Sequence, residues 1–168
     1  YAMKTPFVFG RIASEQEFTD RQVETQHLVN NFNGLVNTIL ISPRRWGKSS
    51  LVNKAARLYA EQSSQNLVVN VDLFSCRTED MFYKEFAKAV IAATNTSFGD
   101  FVAAAMKYLS RFAPVFSSSD PLGSYEFSFG IDVRDKKMDF SEILDLPQKI
   151  AQEKGKKIIV CIDEFQTI

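Results

Sequence analysis

Residues 47–49, Gly-Lys-Ser, limit the possible folds of this chain more than any other part of it. They close the run Ser42-Pro43-Arg44-Arg45-Trp46-Gly47-Lys48-Ser49. An apolar, β-branched segment at residues 36–41 precedes the run and predicts a buried strand. Apolar residues at helical spacing follow it, namely Leu51, Val52, Ala55, Ala56 and Tyr59. A strand, a short loop and a helix in this order are the setting of a phosphate-binding loop.

The residue types in the loop suit phosphate chemistry. Gly47 is expected where the backbone passes a phosphate and a Cβ would intrude. Lys48 is expected to reach the β- and γ-phosphates, and Ser49 to give its hydroxyl to Mg²⁺. The usual pattern begins with glycine, and Ser42 stands at that position here, while Pro43 stiffens the loop. The alternative, a chance Gly-Lys-Ser at a helix start, is disfavoured by the predicted strand and helix on either side.

A second apolar run, residues 158–162, ends in two adjacent acids, Asp163 and Glu164. A strand buried on both faces has no structural need for two terminal carboxylates, although a solvated strand end is the simpler alternative. Ligands of open α/β sheets bind at the carboxyl ends of the strands. We therefore expect Asp163 to hold Mg²⁺, directly or through water, and Glu164 to act as general base on the attacking water.

The order of predicted elements indicates an α/β fold. Buried strands at residues 36–41, 67–73 and 158–162 alternate with predicted helices, which predicts a parallel sheet covered on both faces, a three-layer αβα arrangement. The helices are expected at residues 20–32, after Gly47, after Thr78, around residues 98–112, and from Ser141 to Gly155 with a break at Pro147. Residues 114–123 are predicted to form a loop. Alternation at residues 125–133 predicts a half-exposed strand or a hairpin broken near Gly130, within an insertion at about residues 114–140.

The amino-acid composition narrows the class of protein and the compartment in which it is expected. The 168 residues suffice for one domain. The 20 Lys and Arg balance the 20 Asp and Glu, so no global charge favours nucleic acid or an anionic membrane. Cys76 and Cys161 lie in apolar runs without metal-ligand spacing, which is typical of reduced core cysteines in a cytosolic protein. No run reaches transmembrane length and no signal peptide is visible, so a cytoplasmic protein is expected.

Three segments resemble the archaeal-type ATPase family of the P-loop superfamily, close to the STAND and AAA+ groups. They are residues 18–21, residues 41–51, and residues 146–166 with the string Asp163-Glu164-Phe165-Gln166. The resemblance implies ATP and Mg²⁺ as ligands, places Ser42 to Ser50 around the nucleotide, and places Arg21 near the adenine. It also matches the family's extra hairpin to residues 125–133.

The resemblance further implies a core of five strands in the order 5-1-4-3-2, of which residues 1–168 supply strands 1, 2 and 3. The expectation is therefore the N-terminal part of an ATPase domain, with the sensor residue, any arginine finger and further domains lying elsewhere. Such proteins act as ATP-driven switches, and self-association or a protein partner is expected.

Three functions remain open from the sequence. The first is Mg²⁺-dependent ATP hydrolysis that moves appended domains. The second is a nucleotide-gated regulatory module with negligible hydrolysis, and the third is an origin-recognition-like protein that handles DNA through missing domains. Arg44 and Arg45 either contact nucleotide or a partner subunit or lie in a solvated loop, and Trp46 either packs over the loop or contacts a base.

Overall fold

A computed structural model gives the fold and describes residues 21–43, 46–95, 97–109, 114–118, 125–129 and 140–165. The chain divides into two compact units, residues 1–66 and 67–168. Each unit is described on its own below.

Two helices form the described framework of the first unit. Helix α1 spans Gln22–Asn33 and helix α2 spans Lys48–Gln62, which confirms both predicted helices. Their buried residues recur every three or four positions, as an amphipathic helix requires. Phe32 of α1 meets Tyr59 of α2 edge to face, with ring centroids 5.8 Å apart and planes at 72°. The unit is thus held by a helix pair with an aromatic contact in its core.

The predicted strand at residues 36–41 is wrong. Residues 36–43 form no strand, and most of their apolar side chains lie in solvent, with Ile39 86% and Ile41 93% exposed. Side-chain bonds hold the segment near the end of α1 instead, since Asn31 Nδ2 donates to Thr38 Oγ1 (3.0 Å). A β-branched run suits a strand, but the ladder requires a partner, and within the described residues this run pairs with none.

The second unit contains a parallel sheet of two strands, β1 (Asn66–Asp72) and β4 (Lys157–Asp163). Both strands were predicted to within a residue or so of their bounds. The helices between them are α3 (Glu79–Thr94), α4 (Phe98–Tyr108), α5 (Ser141–Leu144) and α6 (Leu146–Lys154). The core consists of β1 residues, the loop after β1 and the inner faces of these helices, with Leu73, Ile91, Leu109 and Ile150 fully buried. An α/β fold is therefore confirmed.

Local capping sets the helix bounds in this unit. The Thr78 hydroxyl accepts the Met81 N–H (3.3 Å) and begins α3, as predicted. Ser97 likewise accepts from Asp100 N–H (3.1 Å) at the start of α4. The last predicted helix is divided at Asp145, with Pro147 in the first turn of α6, and Gly155 (φ 60°) ends it.

Strands β2 (Pro114–Ser118) and β3 (Tyr125–Phe129) pair antiparallel, with Pro114 opposite Phe129 and Ser118 opposite Tyr125. The prediction of a loop over residues 114–123 is thus wrong for residues 114–118, which form the first strand of this hairpin. The predicted continuation of the second strand to residue 133 lies outside the described residues. Among the helices that the structure describes, none combines the length and the apolar character that crossing a membrane requires.

Candidate functional site

The Gly-Lys-Ser segment forms the N-terminus of α2. Gly47 adopts a left-handed conformation (φ 72°, ψ 25°) at the N-cap, and Lys48 is the first helical residue. The Gly47 carbonyl accepts the Leu51 N–H (2.9 Å), the first bond of the helix. Gly47 offers no side chain to cap the helix, and the N–H groups of a first turn have no partners within their own helix. This geometry suits an anion at the helix N-terminus.

The need for glycine at position 47 is conformational. A φ of 72° lies in the left-handed region, which a side chain with a Cβ disfavours. A Cβ built there would meet no atom of the described residues within 4 Å. Within the described part of the chain the space beside Gly47 is therefore open, which is compatible with the close approach of a phosphate that the sequence predicts.

The other loop residues differ in exposure. Ser42 is half-buried, and its hydroxyl donates to the Pro43 carbonyl at 3.5 Å. Trp46 is 60% exposed. Arg44 and Arg45 lie outside the described residues, so their alternatives stay open.

Lys48, Ser49 and Ser50 follow in the first turn of α2. Lys48 and Ser49 are half-buried, and Ser50 is 9% exposed on the inner face of the helix. Lys48 and Ser49 therefore lie nearer to solvent than Ser50. Because the Ser50 side chain is buried, its predicted contact with nucleotide would involve its backbone and not its hydroxyl.

Asp163 and Glu164 lie where β4 ends. The Asp163 carbonyl accepts the Leu73 N–H (3.2 Å), which places the carboxyl ends of β1 and β4 at one edge of the sheet. The Asp163 carboxylate accepts the Glu164 N–H (Oδ1 to N, 2.9 Å). Glu164 is half-buried and has a positive φ of 56°. The structure thus brings the two predicted acids together at the edge where α/β sheets bind ligands.

Arg21 precedes α1 and also has a positive φ, 88°. Its carbonyl accepts both the N–H (3.0 Å) and the hydroxyl (2.8 Å) of Thr25. Arg21 and the phosphate loop belong to the first unit, and the two acids belong to the second.

Sequence reasoning overlooked Asp72. It is the last residue of β1, exposed, next to the strand that ends in Asp163, and its Oδ1 accepts the Phe74 N–H (2.9 Å). The signal was present, because Asp72 follows an apolar run just as Asp163 does.

Both cysteines are free thiols with raised pKa values. Burial raises the pKa of Cys161 to about 11 and raises that of Cys76 as well. A raised pKa disfavours the thiolate, which is the reactive form of cysteine.

The ligand types available suit a hard cation. The described residues contain no group of three or more His, Cys, Asp or Glu that could hold a metal by itself. Mg²⁺ commonly takes only one or two protein oxygens together with substrate phosphates and water. Ser49 in the first unit and Asp163 in the second each carry an oxygen donor of the type that Mg²⁺ takes.

The loop, the helix start and the acid-ended strand are features of a P-loop nucleotide-binding domain. A comparison with family models confirms the class, because residues 46–166 match the KAP family P-loop domain. The match covers more than half of the chain, so the protein belongs to the KAP family of P-loop NTPases. It includes Gly47 to Ser49 as well as Asp163 and Glu164. No curated protein and no solved structure matched the chain.

Proposed function

We propose that this domain binds ATP with Mg²⁺ and hydrolyses it, and that the cycle switches the conformation of appended domains. Membership of a P-loop NTPase family supports nucleotide binding. The choice of ATP, and the closer likeness to archaeal-type ATPases of the STAND and AAA+ kind, rest on the sequence motifs. In this proposal the cycle acts on a protein partner or a second copy in the cytoplasm.

The observation that carries the proposal is the backbone at Gly47. A left-handed glycine leads directly into α2, and no other described residue has an atom within 4 Å of where its Cβ would stand. The helix dipole and the N–H groups of the first turn favour an anion there. The Lys48 ammonium adds a positive charge at the same helix start, so we assign it to the β- and γ-phosphates. Ser42 to Ser50 and Arg21 complete the assigned nucleotide contacts.

The acids supply the remaining chemistry. Asp163 and Ser49 are the residues assigned to Mg²⁺, which when bound neutralises charge on the phosphates. Glu164 is assigned as the general base that takes a proton from the attacking water. Glu164 is half-buried and follows the strand end directly.

Calorimetry of Mg²⁺-ATP binding combined with turnover assays tests the proposal. Lys48→Ala should lose at least tenfold in affinity, because a charge-assisted contact to phosphate is removed. Lys54→Ala changes a lysine of the same helix that the proposal leaves out, and it should bind as the wild type does. Equal affinities for the Lys48→Ala and wild-type proteins would refute the assignment of the phosphate loop.

The variant Glu164→Gln distinguishes an ATP hydrolase from a module that binds nucleotide as a switch without hydrolysing it. The amide cannot accept the proton of the water, so turnover should fall by about a hundredfold or more while Mg²⁺-ATP still binds. Glu61→Gln on α2 is the control and should keep wild-type turnover. Unchanged turnover in Glu164→Gln would instead favour the regulatory module.

A further inference from the structure

Helix α4 is apolar both on the side that faces the core and on the side that faces solvent. Only two of its 11 residues, Asp100 and Lys107, are charged. Its inner face buries Ala104 and Ala105 in the core of the second unit. A surface helix carries polar residues on its outer face, whereas a helix that is apolar all round is covered on both sides. The composition of α4 therefore indicates a partner for its outer face.

The outer face of α4 has the spacing of a helix–helix contact. Phe98, Val102 and Met106 recur every four residues, so they form one row along the helix. Phe98 is 40% exposed and Met106 is 54% exposed, while Val102 is half-buried. Ala103 lies beside this row and is exposed. An apolar row of this kind packs against a similar row on a second helix.

The two charged residues of α4 lie at its opposite ends. Asp100 is in the first turn and Lys107 is in the last, and a separation of seven residues places both on one side of the helix. Asp100 is exposed, and its Oδ2 accepts the Ser97 hydroxyl (2.7 Å). The Lys107 side chain is 57% exposed while it pairs with Glu153, and an ammonium has three donors. Both charges are accessible to a partner at the edge of the outer face.

We propose that α4 of a second copy covers this face, in an antiparallel pair about a two-fold axis close to Ala103. A two-fold contact uses the same surface on both copies, so that residue i meets residue j and the reverse. Asp100 of each copy then faces Lys107 of the other. A parallel pair would instead bring each charge against its own kind, and only the antiparallel pair sets the helix dipoles in opposition.

The contact rests on α4 and not on the proposed function, so it should form with or without Mg²⁺-ATP. A single helix of 11 residues makes a small interface, so the dimer should be weak and should depend on protein concentration. The two proposals can fail separately. Met106→Glu should still bind Mg²⁺-ATP, and Lys48→Ala should still form the dimer.

Sedimentation equilibrium of the full chain tests the contact. The wild type should pass from monomer towards dimer between about 5 µM and about 500 µM. Met106→Glu places a charge within the apolar row and should weaken association at least tenfold. Leu144→Glu is the matched control, because Leu144 is 45% exposed on α5, and it should associate as the wild type does. A wild type that stays monomeric at about 500 µM would overturn the proposal, as would unchanged association of Met106→Glu.

Exchange of the charges tests the antiparallel register. Asp100→Lys and Lys107→Glu each put like charges at both edges of a homodimer, so each should weaken association roughly tenfold. An equal mixture of the two variants places opposite charges at both edges and should associate as the wild type does. Failure of the mixture to recover would overturn the pairing. Lys107→Glu also loses the contact with Glu153, so circular dichroism first checks its fold, and Met106→Glu decides the proposal if that variant unfolds.

Discussion

Leu35 occupies the position after α1 at which helices most often place glycine. The Val36 N–H donates to the Asn31 carbonyl (2.9 Å) and the Leu35 N–H to the Phe32 carbonyl (3.1 Å), the two bonds of a Schellman motif. This motif puts Leu35 at φ 53°, although Gly34 is directly before it at φ −80°. The glycine that ends the helix in the sequence is therefore not the residue that takes the left-handed conformation.

Leu35→Gly should raise the free energy of unfolding of the first unit by about 1 kcal/mol, because glycine adopts this conformation without strain. Urea unfolding followed by fluorescence measures it, since the single tryptophan, Trp46, lies in this unit. Leu35→Ala is the matched control, because it removes the 61% exposed side chain but keeps the Cβ. An equal gain from alanine would mean that the side chain and not the backbone is the source of strain.

At the scale of elements, two adjacent residues at the end of α6 connect it to the ends of two other helices. Glu153 Oε1 pairs with Lys107 Nζ (2.5 Å) and Oε2 accepts the Tyr108 hydroxyl (2.7 Å), both on α4. Lys154 Nζ donates to the Thr94 carbonyl (2.6 Å) and to Asn95 Oδ1 (2.9 Å), where α3 ends. These contacts lie close to Gly155, directly before the strand that carries the acids.

The contacts of Glu153 predict a dependence of stability on pH. The hydrogen bond from Lys107, then that from Tyr108, lowers the pKa of Glu153 below its usual 4.5. A carboxylate with a lowered pKa stabilises the fold above its unfolded pKa, and this contribution is lost as pH falls through the folded value. Glu153→Gln should therefore melt below the wild type at pH 7, and the difference should shrink as the pH falls through the lowered pKa of Glu153.

Thermal unfolding from pH 3 to pH 7 provides this measurement. Glu61→Gln, which removes an exposed i,i+4 partner of Arg57 at 3.6 Å, is the control and should leave the melting temperature nearly unchanged at every pH. A constant difference between Glu153→Gln and the wild type down to pH 3 would contradict the linkage. Tyr108 acts in the alkaline range, because burial and the bond to Glu153 raise its pKa to about 12 and its contribution is lost as pH rises from 10 to 12.

The sequence predicts those elements whose signals are local. Thr78 and Gly155 mark helix ends because a cap bonds residues close in the chain, and both positions were identified correctly. Residues 36–41 carry the composition of a strand, but strand formation depends on a distant partner, which composition does not identify. The residue types of Lys48, Asp163 and Glu164 indicate their chemistry, whereas the left-handed φ of Glu164 (56°) is set by the folded turn after β4 and not by residue type.

At the scale of the whole molecule, a bound ligand stabilises the folded state by mass action. Mg²⁺-ATP at a hundred times its dissociation constant should add about 2.7 kcal/mol. For a chain of this size that corresponds to a rise in melting temperature of roughly 5 °C or more. Two compact units can unfold separately, so tryptophan fluorescence, which reports the first unit, should be recorded beside circular dichroism of the whole chain.

Lys48→Ala should abolish the stabilisation by nucleotide, while Lys54→Ala on the same helix should retain it. Removal of Mg²⁺ by a chelator should reduce the shift, and Asp163→Ala should reduce it similarly, because both remove the metal contact that the proposal assigns to the second unit. A shift seen by tryptophan fluorescence alone would mean that nucleotide binds the phosphate loop without engaging the acids. An equal shift in the wild type and in Lys48→Ala would show that ATP stabilises the protein elsewhere, and it would refute the assigned loop even if the family membership stands.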